Sequence, residues 1–171
     1  MAPSATLRKK REEIVREHMD SENRHEFDAT LDTFGHPRYE LVATGEVYDG
    51  AEEVAAYYEE SREAFPDQRN ELLALHHADD AVLVEAVIRG THKGSLRNLP
   101  PTGREFELPI LAIFVFEGEE MTCERIYFDQ LTVLRQLGIA RDPLSLTGRL
   151  QTLVGHPWTI GRGVVRQLTG R

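Results

Sequence analysis

The chain has 171 residues, 40 % of them hydrophobic and 29 % charged, a composition typical of one globular domain with a sizeable core. Its net charge is −9, but residues 140–171 carry five Arg and one Asp, a net +4, which leaves −13 on the first 139 residues. An acidic body repels nucleic acid and anionic membrane, so we expect no nucleic-acid partner.

The single cysteine, Cys123, has no partner for an internal disulfide, and no paired Cys/His spacing indicates a zinc site. We therefore expect no metal and a reducing, cytoplasmic setting. The charged segment Met1 to Arg16 lacks the apolar core of a signal peptide. No run of about 18 apolar residues exists, so no membrane span is expected.

The first part of the chain predicts helices interrupted by a pair of short strands. Apolar residues at helical spacing predict helices over residues 6–24, 23–34 and 51–65. Alternating residues at 38–43 and 45–48 predict the two strands, closed by the turn signal Asp49-Gly50.

From residue 70 onward, the pattern changes to long alternating segments separated by turn residues. These predict strands over residues 70–77, 81–91, 104–116 and 121–130, followed by a short helix over residues 131–137. Pro109 lacks an amide donor and predicts an edge or a bulge in the third of these strands. Helices followed by an antiparallel meander indicate the α+β class.

A curved sheet with helices across its concave side would form a cone with a mouth, a shape typical of ligand sites. Residues 140–171 contain two apolar stripes at near-helical spacing, separated by His156-Pro157-Trp158. We interpret this basic amphipathic extension as packing on its own domain or on a partner copy. A membrane-surface helix is the less favoured alternative.

The end of the last strand offers the main candidate for chemistry. Side chains alternate along a strand, so Arg125, Tyr127 and Asp129 share one face, while Glu124, Ile126 and Phe128 share the other. Asp129 is either the N-cap of the following helix or a carboxylate held in a pocket. The preference of Asp for N-caps favours the cap, although the two roles are compatible.

Four segments, at residues 90–94, 100–104, 124–129 and 134–138, read GTHKG, PPTGR, ERIYFD and LRQLG. Together they resemble the SnoaL-like polyketide cyclase family of the NTF2-like superfamily, which also holds ketosteroid isomerase-like enzymes. The resemblance covers roughly residues 10–139. It implies a domain at 1–139 with a cone-shaped α+β barrel and an inner cavity, a homodimer or higher homo-oligomer, and an extension at 140–171.

The resemblance also implies cofactor-free acid/base chemistry, an aldol-type cyclisation or an isomerisation, on a hydrophobic carbonyl or polyketide-like substrate. Asp129 would be the acid/base, because an apolar cavity disfavours its charged form and makes it a stronger base. Tyr127 on the same face and His36 in a turn before the first strand join it as catalytic candidates. The predicted substrate-binding residues are Arg125, His92, Glu85 and Tyr57.

Two alternatives remain open. A non-catalytic NTF2-like module would bind an apolar small molecule or a protein partner without catalysing a reaction. A limonene epoxide hydrolase-like activity ranks lower, because it requires an Arg-x-Asp strand motif and Arg125 lies four residues before Asp129. The adjacent His76 and His77 do not indicate a metal, because neighbouring strand residues point to opposite faces.

Overall fold

A computed structural model describes residues 3–170, so residues 1, 2 and 171 at the ends of the two predicted units lie outside the described part. The helices are α1 (Ala5–Arg24), α2 (Phe27–Leu31), α3 (Ala51–Ala64), α4 (Gln130–Gln136), α5 (Leu146–Gly155) and α6 (Pro157–Thr169). The strands are β1 (Arg38–Leu41), β2 (Glu46–Asp49), β3 (Arg69–His77), β4 (Ala81–Thr91), β5 (Glu105–Glu117) and β6 (Glu120–Phe128).

The strands form one sheet in the order β2-β1-β6-β5-β4-β3, in which β3 to β6 are an antiparallel meander. Strand β1 pairs with β6 in parallel, so Tyr39 lies beside Glu124. The α+β prediction is therefore confirmed, with an open sheet instead of a closed barrel. None of the described helices is long and apolar enough to cross a membrane.

The first two predicted helices meet at His25, which ends α1 in a left-handed conformation with φ of 61°. Its amide donates to the carbonyl oxygens of Ser21 and Glu22, which closes the last turn of the helix. The second helix is consequently shorter than predicted and covers Phe27–Leu31 alone.

Pro109 lies inside the central strand β5, opposite Val87 of β4. Both main-chain polar groups of Glu107, two residues earlier, bond the side chain of Gln136 in α4. Main-chain nitrogens two residues apart in a strand point to the same side, so the nitrogen of Pro109 points to the side on which Glu107 bonds Gln136. The β5–β6 ladder ends at the pair Ile110 and Phe128, so the nitrogen of Pro109 faces a side where β5 is locally an edge.

The core fills the concave side of the sheet, where α1 and α3 cover the inward faces of the strands. The larger of two buried clusters centres on Val15, Tyr39, Tyr58, Phe114 and Met121. The smaller cluster joins Phe65, Phe106, Leu108 and Leu137 at the end of the sheet where β6 runs into α4.

The C-terminal extension forms two helices that contact each other, α5 and α6. Helix α5 is capped by Ser145, whose hydroxyl accepts from the amide of Gly148 at 3.0 Å. The large apolar side chains of both helices are mostly exposed, with Leu146 85 % and Trp158 84 % accessible. The extension thus adds little to the core of the domain.

Candidate functional site

A cavity of about 260 Å³ opens on the concave side, where the two buried clusters meet. Its walls are largely apolar and include Leu41, Phe65, Ile88, Phe106, Leu108, Ile126, Phe128 and Val133. The polar side chains that line it are Thr44, Glu46, Tyr57, Glu60, Ser61, Gln68, Arg97 and Gln130. Walls of this kind fit an apolar small molecule with few polar groups.

One wall of the cavity is the inner side of α3. Tyr57 and Ser61 are four residues apart, so they stand above one another on one helix face, and Phe65 follows as the residue that caps the end of the helix. The opposite wall comes from strand residues that alternate inward, such as Leu108 of β5 and Ile126 of β6.

The segment between β4 and β5 covers the cavity with Leu96 and Leu99, whose main chains exchange two hydrogen bonds of 2.8 and 3.0 Å. It is fastened to the end of α3 by the amides of Lys93 and Gly94, which donate to the carbonyl oxygen of Ala64 at 3.0 and 3.1 Å. The apolar cover is therefore tied to the helix that forms the facing wall.

The polar edge of the cavity is an ion cluster around Arg97. Its guanidinium pairs with Glu46, lies 3.7 Å from Glu60 and donates to the Tyr48 hydroxyl at 3.4 Å. Partial burial opposes ionisation of Glu46, but hydrogen bonds from Thr44 and Arg97 lower its pKa overall. The charge of Arg97 is thus already balanced by protein carboxylates.

Tyr57 is a lining residue with an uncommitted donor. Its hydroxyl makes no hydrogen bond within residues 3–170, although its ring packs 4.9 Å from that of Tyr48 and 5.6 Å from that of Tyr39. Burial, reinforced by the charges of Glu22 and Glu124, raises the pKa of Tyr57. The group therefore stays protonated and can donate to a ligand.

A buried polar cluster lies deeper in the core. The Nε2 atom of His18 is 3.0 Å from the Tyr39 hydroxyl and 3.0 Å from Oε2 of Glu124. The hydroxyl of Tyr58 donates to that of Tyr39 at 3.0 Å. Oε2 of Glu124 makes no hydrogen bond within residues 3–170, so the polar bond of Nε2 is the one with the Tyr39 hydroxyl. Burial and the charge of Glu124 raise the pKa of Tyr39.

Asp129 lies at the surface and caps α4, which corrects its predicted place in an apolar cavity. Its carboxylate accepts from the Leu131 amide at 2.9 Å and from the Thr132 hydroxyl at 2.6 Å. These bonds, led by that of Thr132, lower the pKa of Asp129. Its neighbours Phe128 and Gln130 line the cavity, but Asp129 does not.

The predicted active face of β6 is the outer face, because Ile126 and Phe128 are the residues that line the cavity. Tyr127 is 42 % exposed on the outside. Arg125 pairs with Glu40 of β1 at 2.5 Å. Glu85 is exposed on β4, 3.3 Å from His76. None of these side chains reaches the cavity.

The two predicted histidines also lie outside the cavity. His36 is exposed and pairs with Asp49 at 2.6 Å, near the start of β1. Because β1 runs parallel to β6, that end lies away from the cavity-lining Phe128. His92 is buried against the ring of Phe65, and its Nδ1 accepts from the Thr102 amide at 3.2 Å. Among the seven predicted residues, only Tyr57 lines the cavity.

Sequence reasoning missed the buried His18 and Glu124. Each carried a signal, because His18 falls on the apolar stripe of α1 and Glu124 shares its strand face with Ile126 and Phe128. A titratable group on an apolar face needs a partner when buried. Among residues 3–170, no group of three or more His, Cys, Asp or Glu side chains could hold a metal ion.

A family model described as SnoaL-like polyketide cyclase matches residues 12–137, almost three quarters of the chain. The chain belongs to the SnoaL-like polyketide cyclase family. This confirms the resemblance carried by the segments around GTHKG, PPTGR and ERIYFD. A comparison with functionally curated proteins gives no significant match.

Solved structures confirm the fold of this SnoaL-like chain. A proposed SnoaL-like polyketide cyclase from Jannaschia sp. CCS1 is 19 % identical, with a TM-score of 0.73 over 82 % of this chain and 100 % of that one. A protein of ketosteroid isomerase-like fold from Catenulispora acidiphila, in complex with trimethylamine, is 22 % identical, with a TM-score of 0.63 over 75 % and 94 %.

IdmH, a proposed polyketide cyclase from Streptomyces antibioticus, is also 22 % identical, with a TM-score of 0.65 over 75 % of this chain and 98 % of that one. At these identities, the similarity establishes the NTF2-like fold and carries no substrate with it.

Proposed function

We propose that this SnoaL-like protein performs a cyclase- or isomerase-type reaction, without a cofactor, on a hydrophobic carbonyl compound bound in the cavity. Family membership supports the reaction class. The apolar walls support a hydrophobic substrate. The observation that carries the proposal is the unpaired, protonated hydroxyl of Tyr57 on the cavity wall.

Removing a proton next to a carbonyl group places negative charge on the carbonyl oxygen. A hydrogen bond from Tyr57 to that oxygen would strengthen as the charge develops, and such stabilisation is often the largest contribution to catalysis. The raised pKa of Tyr57 suits this role, because the phenol must remain a donor at neutral pH. Low polarity around the ring increases the effect.

Two carboxylates compete for the role of base. The family resemblance implies Asp129, whose side chain caps α4 and has a lowered pKa. The alternative is Glu60, which lines the cavity on the same helix as Tyr57 and lies 3.7 Å from Arg97. We favour Glu60, because a base must come within hydrogen-bonding reach of the proton that it removes.

The test is hydrogen–deuterium exchange at the methyl group of 2-acetylnaphthalene, an apolar ketone, followed by NMR in deuterated buffer. We expect the protein to accelerate exchange over buffer and Tyr57→Phe to lower the rate roughly 100-fold. Glu60→Gln should also lower it roughly 100-fold, whereas Asp129→Asn should leave it unchanged. The reverse order for the two acids would assign the base to Asp129.

Failure of the protein to accelerate exchange of a ketone that it binds would overturn the enzymatic proposal. It would favour the second candidate function, a non-catalytic small-molecule-binding module. One observation favours that candidate: Glu46 at the cavity edge is held ionised by Arg97 and Thr44 and is a weak base. Titration of the naphthyl fluorescence measures binding separately from exchange.

A further inference from the structure

The C-terminal extension exposes its large apolar side chains instead of packing them on the domain. The most exposed ones are Leu146, Leu150 and Val154 of α5 and Trp158, Val165 and Leu168 of α6. A folded protein rarely leaves contiguous apolar patches of more than a few hundred Å² in water unless an interaction covers them. The extension therefore has the composition of an interaction surface.

The apolar residues of each helix lie on one side of it. In α6, Trp158 and Val165 are seven residues apart and Leu168 follows three residues later, which are the spacings of one helix face. In α5, Leu146 and Leu150 are four residues apart and share a face in the same way. Both helices are therefore amphipathic.

The basic residues of these helices border the apolar sides. Arg149 precedes Leu153 by four residues and Arg162 follows Trp158 by four residues, so each arginine lies one helical turn from an exposed apolar side chain. Arg166 lies one turn further along α6, towards the polar side. The stem of an arginine can lie along apolar surface while its guanidinium remains in water. The arginines can therefore contact charged groups at the edge of an apolar phase into which the apolar sides are inserted.

We propose that α5 and α6 dock on the surface of a bilayer that contains anionic lipid, with their apolar sides among the acyl chains and their arginines at the lipid phosphates. Charge complementarity supports this partner, because residues 143–170 contain three Arg and no Asp or Glu. The position of Trp158 supports it as well, since Trp is enriched where an apolar phase meets water.

The acidic part of the chain sets the orientation of the docked protein. Residues 1–139 carry a net charge of −13 and are repelled by an anionic surface. Exposed charges more than about 10 Å from the lipid phosphates are largely screened at 0.1 M salt, so this repulsion acts only at close approach. The protein should therefore dock through the extension alone and hold the domain with the cavity away from the bilayer.

The test measures binding of the full-length protein to vesicles of phosphatidylcholine with and without phosphatidylglycerol, by flotation. Arg162→Gln/Arg166→Gln should weaken binding to the anionic vesicles roughly 30-fold, because each arginine near an anionic surface contributes to binding. Leu150→Gln/Leu168→Gln should weaken it at least 10-fold through the loss of buried apolar area. Lys9→Gln/Arg16→Gln in α1 is the matched control, since it removes two exposed charges outside the extension and should leave binding unchanged. All six side chains are exposed, so the variants should fold, which circular dichroism checks.

Trp158 is the only tryptophan and reports directly on the contact. Its emission should shift to shorter wavelength when vesicles containing phosphatidylglycerol are added, and much less with phosphatidylcholine alone. Three results would overturn the proposal: a parent protein that does not float with the anionic vesicles, arginine variants that float as the parent does, or a shift that rises with protein concentration in the absence of lipid. The last result would mean that another copy of the chain covers the apolar sides.

Discussion

The Nε2 atom of His18 lies 3.0 Å from Oε2 of Glu124, and both side chains are almost completely removed from solvent. The two residues come from α1 and β6, so their contact joins the first helix to the last strand. The Tyr39 hydroxyl, 3.0 Å from the same nitrogen, completes the cluster. A buried carboxylate left without such partners would be costly, so we expect the pair to act as a unit.

The first prediction concerns this coupling. His18→Leu should lower the free energy of unfolding by about 3–5 kcal/mol, because it removes the ring that lies against the buried Glu124 carboxylate. Glu124→Leu should lower it less, because His18 keeps its hydrogen bonds to Thr33 and Tyr39. The double variant should cost less than the sum of the single variants, by roughly 2 kcal/mol. Urea denaturation measures all four proteins. Strict additivity would show that the two side chains do not interact.

The second prediction concerns which ring nitrogen of His18 carries a proton. The Thr33 hydroxyl donates to the carbonyl oxygen of Thr30 at 2.6 Å, so it must accept from Nδ1 of His18 at 2.8 Å. We expect NMR of ¹⁵N-histidine-labelled protein to show a protonated Nδ1 on this ring at neutral pH. The exposed His36 serves as the comparison in the same spectrum. An unprotonated Nδ1 on His18 would contradict the assigned hydrogen bonds.

The third prediction concerns the helix cap at Asp129. Asp129→Ala should lower the urea midpoint, because α4 loses the bonds to Leu131 and Thr132, whereas Asp129→Asn should retain most of the stability. The pKa of Asp129 is lowered by folding, so its contribution is present above the unfolded value of about 3.9 and is lost as pH falls through the folded value.

The difference between parent and Asp129→Ala should therefore be largest at neutral pH and shrink as the pH falls below about 4. Denaturation midpoints at a series of pH values measure this. A difference that grows on acidification would mean that the pKa of Asp129 is raised in the folded state, as expected for a base in an apolar pocket.

The strand pattern of the sequence predicted the sheet well, because Val- and Ile-rich alternation has few other interpretations. The meander from β3 to β6 lies within two residues of the predicted segments. Alternation also sorted the residues of β6 onto the right two faces. It could not tell which face points inward, because both carry aromatic residues, Tyr127 on one and Phe128 on the other.

The buried cluster illustrates a second limit of sequence reasoning. His18 and Glu124 are 106 positions apart in the sequence. A contact between two residues so far apart produces no spacing pattern that the sequence could reveal. The contact forms because α1 packs against the sheet face that carries Glu124, and the parallel pairing of β1 with β6 adds Tyr39 to the cluster. For Asp129, the local preference of Asp for the N-cap position predicted the observed role, since its side chain caps α4.

The fourth prediction tests the fastening of the cavity cover. A Cβ atom on Gly94 would lie 1.9 Å from the carbonyl oxygen of Glu63, at the end of α3. Gly94→Ala should therefore displace the segment that holds Leu96 and Leu99. We expect a loss of about 1–3 kcal/mol in the free energy of unfolding, together with weaker binding of 2-acetylnaphthalene.

Gly163→Ala in α6 is the matched control, because a Cβ there meets nothing within 4 Å. It should leave ketone binding unchanged and slightly favour the helix. If Gly94→Ala bound the ketone as the parent does, the position of the cover would not govern access to the cavity.

The pairing of β1 with β6 imposes an order on how the chain folds during its synthesis. Tyr39 emerges from the ribosome long before its neighbour Glu124, and the two can pair only after 85 further residues have been synthesised. The hairpins from β3 to β6 can form as they emerge, since their partners are close in sequence. We expect a nascent chain that stops before β6 to leave its N-terminal helices undocked and exposed to chaperones and proteases.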